Sequence, residues 1–168
     1  MRRAGAALSG AALAAALLAP PASAEGLEGR TLVFRVETID AAGTPLLTSR
    51  DYVARVEDGA EIAMGPEGWM GLDVVPVTLD LAAGSVTFTW PEAGTSVFYE
   101  SAFNGYVMEF AGECALISRA EVAESTMPLP EDALEAGPLS LRLDVSGMAY
   151  GPDQRVVLAG EVADCPIS

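Results

Sequence analysis

The chain has 168 residues, with nine arginines against 24 acidic side chains, no lysine, no histidine and a formal net charge of −15 at pH 7. A surface of that sign repels nucleic acid and anionic lipid. The missing residue types exclude His-based metal sites, Ser-His-Asp and Cys-His nucleophile systems, lysine Schiff bases and the phosphate-loop lysine, so any chemistry must rest on carboxylates, Tyr, Arg or backbone groups.

Residues 1–24 read as a cleavable secretory signal. Arg2 and Arg3 are the charged start, Ala4 to Ala19 is an apolar run made almost wholly of Ala, Leu and Gly, and Pro20-Pro21 breaks it. Ala22-Ser23-Ala24 supplies the small residues a signal peptidase needs, so cleavage is expected near Ala24. The run is too short for a span, which takes about 20 apolar residues. Every acidic residue and seven of the nine arginines follow residue 24. Residues 25–168 then form one acidic domain, placed in the periplasm or secreted.

From Arg30 onward the dominant period is two. Leu32, Phe34 and Val36 alternate with Val33, Arg35 and Glu37, and Tyr52, Ala54 and Val56 alternate with Val53, Arg55 and Glu57. Ala41 to Pro45 is a turn-rich loop between these strands. Glu61 to Met64 is a short strand, followed by an irregular loop over Gly65 to Gly71 that carries Trp69. An aromatic there either stacks on a sugar or peptide or caps the end of the fold. Val74 to Leu81 and Ser85 to Trp90 read as a hairpin across Ala82-Ala83-Gly84, with Val86, Phe88 and Trp90 inward.

Asn104-Gly105 lies between two alternating runs, the usual signature of a type I′ hairpin. Centring that turn pairs Phe103 with Tyr106. It puts Val97, Tyr99, Phe103, Tyr106, Met108, Phe110, Cys114 and Leu116 on a core face. The same register sets Glu100 opposite Glu109, where two like charges destabilise a sheet unless a cation or a shared proton relieves them. Calcium is the expected cation, because it prefers oxygen ligands. Asp58, Asp73, Asp80 and Asp153 lie near turns and are further oxygen donors, although no run matches a calcium loop.

Pro130 opens a short helix over Glu131 to Glu135, with Gly137 as its stop. Leu139, Leu141, Leu143 and Val145 then alternate, Gly151-Pro152-Asp153 turns the chain, and Arg155 to Val162 returns. About nine short strands at this spacing predict an all-β, antiparallel β-sandwich, with a β-barrel as the alternative. Cys114 and Cys165 are expected to form one disulfide, as suits an exported protein with an even cysteine count.

Val56 to Ile62 (VEDGAEI), Phe103 to Val107 (FNGYV) and Leu143 to Tyr150 leading into Arg155 to Leu158 resemble, in order and spacing, a β-rich domain of exported bacterial proteins. Some of those proteins carry a carboxy-terminal Pro-Glu-Pro sorting segment, which this chain lacks. The resemblance implies secretion and a β fold and carries no activity or catalytic residue. The expected function is a non-catalytic exported binding or structural module, cation-assisted at Glu100 and Glu109, with an envelope or extracellular protein or a glycan as partner. The competing expectations are an accessory subunit of an envelope assembly and a small secreted carboxylate-based hydrolase. An exposed apolar patch or bare edge strand would mark the accessory subunit, and a concave pocket lined by aromatics would mark the ligand binder.

Overall fold

The computed structural model describes residues 26–65, 74–111 and 115–164. These residues are all-β, with antiparallel pairing throughout and no helix. Strand β1 (Thr31–Ile39) is the organising element. Leu32, Phe34 and Val36 are buried, while Val33, Arg35 and Glu37 face outward. One of its edges pairs along its whole length with β8 (Phe103–Ala111). Its other edge is shared: β3 (Tyr52–Arg55) takes Thr31 to Phe34, and β2 (Pro45–Thr48) takes Glu37 to Ile39. Ser49 bridges the junction. Its N–H donates to the Val36 carbonyl at 2.9 Å, and its Oγ accepts the Val36 N–H at 2.9 Å, so no buried amide goes unpaired there.

The first sheet continues outward from β8 through β11 (Ser140–Asp144) to β10 (Leu134–Gly137). A second sheet runs in the order β4 (Ala60–Ala63), β5 (Thr78–Ala82), β6 (Ser85–Thr89), β13 (Arg155–Asp164), β9 (Ala115–Ser125). A two-stranded ribbon pairs β7 (Ser96–Val97) with β12 (Ala149–Tyr150). Neither main sheet closes on itself, which sets the barrel alternative aside.

One buried cluster draws on both main sheets, with Leu32, Phe34, Met108 and Leu143 from the first and Leu79, Leu81, Phe88 and Leu158 from the second. Tyr106 is central. Its ring stacks on Phe34 at 5.8 Å and lies 5.2 Å from Phe88, and its hydroxyl accepts the Trp90 Nε1–H at 2.8 Å. Complete burial disfavours the phenolate and pushes the Tyr106 pKa well above the usual range. Val86, Phe88 and Trp90 point inward as the alternation predicts, and β5 meets β6 across the expected turn.

Two expectations fail. The segment after Pro130 is no helix: the Ala133 N–H closes a single turn on the Pro130 carbonyl at 3.1 Å, and Leu134 to Gly137 then pair with β11. A helix this short has few bonds to offset its costly nucleation, whereas an edge strand has a ready partner. Nor is Asn104-Gly105 a turn. Both residues lie inside β8, opposite Thr38 and Glu37 of β1. A local turn preference loses here to pairing on both sides of β8. Gly105 does not have a positive φ. It is needed because the Leu143 carbonyl lies where its Cβ would go, with the carbonyl carbon at 2.9 Å and the Asp144 Cα at 3.1 Å.

The core face expected around that turn is therefore half right. Tyr106, Met108 and Phe110 are buried, yet Val97 and Tyr99 are exposed and Phe98 is buried. With no turn at Asn104-Gly105, Phe98 rather than Val97 or Tyr99 keeps the parity of Tyr106, Met108 and Phe110, and Phe98 is the one buried.

Candidate functional site

Glu100 and Glu109 do not face each other. Glu109 points outward from β8, in register with Val33 of β1 and Ser140 of β11, and Glu100 lies in the bend before β8. Glu109 already has a cation: Arg35 Nη2 donates to its Oε1 at 2.7 Å, from 74 residues away in sequence. The hydrogen bond from Arg35 holds the Glu109 carboxyl below its ordinary range against a smaller desolvation effect, and the same bond raises the Arg35 guanidinium. Arg35 Nε also donates to Glu37 at 2.6 Å, and Arg142 stands 3.8 Å from Glu37 and over the Phe103 ring at 4.4 Å. Val107, level with both arginines in register, is buried on this outer face beneath their aliphatic stems. The opposed-carboxylate geometry that called for calcium is thus replaced by a cross-strand charge ladder. Among the described residues, no three acidic or sulfur side chains group as metal ligands.

The other candidates are dispersed. Asp58 and Asp153 sit at turns, and Asp80 is an exposed strand residue on β5. Cys114, Cys165, Trp69 and Asp73 lie outside the described residues.

What the fold does build is a groove of about 520 Å³ between β2, β7, β12 and residues 74–76, with polar and apolar surface in nearly equal share. Leu46, Val97 and Tyr99 line it while 55%, 58% and 66% exposed. Single exposed apolar side chains are ordinary, but three converging on one concavity form a patch. Leu46 reaches it because it is the extra residue of a bulge between β1 and β2. The floor is closely packed: Phe98 lies edge-on to Trp90 at 6.1 Å and tilted against Tyr150 at 4.7 Å, tying the groove to the central aromatic cluster.

Polar clamps hold the bend that presents Tyr99. Asn104 Nδ2 donates to the Tyr99 carbonyl at 2.8 Å, and the Thr38 hydroxyl donates to Asn104 Oδ1 at 3.0 Å. The Ser101 N–H donates to Ser146 Oγ, which donates in turn to the Ser101 carbonyl. Thr38 and Asn104 line the groove and bond each other and the backbone, while aliphatic and aromatic side chains supply the apolar half of its surface. On the far side of Leu46 and Tyr99 lies a second hollow of about 500 Å³, bordered by Asp40 and Glu100.

Sequence reasoning missed the groove. Its turn register sent Tyr99 inward, and Leu46-Leu47, just past the Ala41 to Pro45 loop, were assigned to no element. Two adjacent leucines in a turn-rich stretch were the available signal. Comparisons with protein-family models, with curated proteins and with solved structures give no match.

Proposed function

We propose that this protein is a non-catalytic, exported binding module, a β-sandwich that takes its ligand in the groove between β2, β7 and β12. The observation that carries this reading is the convergence of exposed Leu46, Val97 and Tyr99 on one concavity with an ordered aromatic floor. Ligand sites are typically concave and combine apolar side chains with a few polar groups, as this one does. The signal-like residues 1–24 and the resemblance to exported β-rich domains support delivery to the periplasm or beyond.

The disulfide belongs to the same reading. Ala115 and Asp164 are the last described partners of β9 and β13, and Cys114 and Cys165 are their immediate neighbours in sequence. That nearness in sequence, together with the even cysteine count of an exported chain, supports a Cys114–Cys165 bridge.

The accessory-subunit reading draws on the same patch, because β2 ends its sheet beside the groove. The hydrolase reading gains no support. Asp40 Oδ1 accepts the Ala42 and Thr44 N–H groups at 2.9 and 2.8 Å, and Glu109 is bound to Arg35. Nile red, a neutral apolar dye, tests the groove directly. Its fluorescence should rise with the wild-type protein and should not with Leu46→Ser or Tyr99→Ser of unchanged melting temperature. Equal dye binding by all three would reject the groove as the site.

A further inference from the structure

The groove and the acidic hollow are adjacent, and Leu46 and Tyr99 line both. No basic residue lines either one. Asp40 and Glu100 therefore set the local charge, within a chain that has no lysine and a net charge of −15. Glu100 is exposed and has no ion pair among the described residues, so its carboxylate is available. Because the two compartments share Leu46 and Tyr99, a ligand filling both carries an apolar group next to a cation. The cation would meet carboxylates on one side and the exposed Tyr99 ring on the other.

We propose that the site binds a polypeptide segment in which a bulky apolar side chain neighbours lysine or arginine, the apolar side chain entering the groove and the cation the Asp40–Glu100 hollow. This rests on the groove being the binding site. A second copy of the chain would bring two acidic rims together and could offer only arginine as the cation. Apolar anchoring sets the dwell time, and the acidic field speeds encounter and makes binding sensitive to salt.

The test uses the folded, exported protein and three fluorescein-labelled hexapeptides, alternating Lys/Leu, Glu/Leu and Lys/Ser, read by anisotropy at low and high salt. The Lys/Leu peptide should bind at least roughly tenfold more tightly than either control, as expected when anchor and charge both contribute. Leu46→Ser should weaken it at every salt concentration. Glu100→Gln should weaken it at low salt and flatten the salt dependence. Tyr99→Ser stands in should Leu46→Ser fail to fold. Equal binding of the Lys/Leu and Glu/Leu peptides, or indifference to both Leu46→Ser and Glu100→Gln, overturns the proposal. Self-association that Leu46→Ser abolishes also overturns it, in favour of a second copy as occupant. Nile red in the groove without Lys/Leu binding would sink the cationic occupant and leave the groove standing. Failure of both probes would sink the two readings together.

Discussion

Replacing Gly105 with alanine places a methyl group against backbone that cannot rotate away. The new Cβ would meet the Leu143 carbonyl oxygen inside contact distance, the carbonyl carbon at 2.9 Å and the Asp144 Cα at 3.1 Å. Relief requires β8 and β11 to part where Tyr106 pairs with Leu143 and Gly105 with Asp144. Overpacking of this kind costs about 1–3 kcal/mol. Alanine recovers about 0.4–1 kcal/mol by restricting the unfolded chain, leaving a net loss on the order of 1–2 kcal/mol. For a domain of this size that lowers the melting temperature by roughly 2–8 °C, measurable by circular dichroism or calorimetry. Gly105→Asn separates this account from a turn at the same place. Asparagine tolerates positive φ and would be mild in a type I′ turn, whereas in a strand crowded by Leu143 it is at least as damaging as alanine. A Gly105→Ala protein as stable as wild type, or an asparagine variant better tolerated than alanine, would refute the reasoning.

Tyr106→Phe removes the acceptor of the buried Trp90 Nε1–H and should cost about 1–3 kcal/mol by urea unfolding; no change would mean the indole has another partner. Glu109 has a folded pKa depressed by Arg35, so its contribution is present above its unfolded pKa and is lost as pH falls through the folded one. With the Glu109 side chain 46% exposed, the contribution is at most about 1 kcal/mol. Glu109→Gln should therefore flatten the acid limb of the stability curve below about pH 4, while calcium moves the melting temperatures of wild type and variant alike; a shift confined to wild type would restore a cation site. Thiol titration of the exported, denatured protein should find no free sulfhydryl at Cys114 or Cys165, and reduction should destabilise it by about 2–5 kcal/mol; two titratable thiols in the oxidised sample would contradict the bridge.

Most of the strands were legible because their side chains alternate where one face is buried. Leu32-Phe34-Val36, Val86-Phe88-Trp90 and Leu141-Leu143-Val145 each place every second residue in the core. Turn chemistry was legible where nothing competed with it. Asp40 caps the Ala41 to Thr44 loop, and Ala83-Gly84 closes β5 on β6. It misled at Asn104-Gly105, where β1 and β11 both offer longer ladders than a local turn can. That one error moved the phase of Val97 to Tyr99, hid the exposed tyrosine, and set Glu100 against Glu109. The Arg35–Glu109 bond spans 74 residues and depends on which strands become neighbours, which alternation does not encode. The groove joins residues from six separate stretches of chain, so it exists only once the topology does.

The central claim is that apolar ligands enter between Leu46, Val97 and Tyr99. Methyl-resolved NMR during a Nile red titration tests it most directly, because Val53 and Leu139 are exposed apolar residues that do not line the groove and serve as internal references. The account predicts saturable shifts at the Leu46, Val97 and Val36 methyls with Val53 and Leu139 unmoved. Shifts of equal size at Val53 and Leu139, or none at Leu46 and Val97, would contradict it.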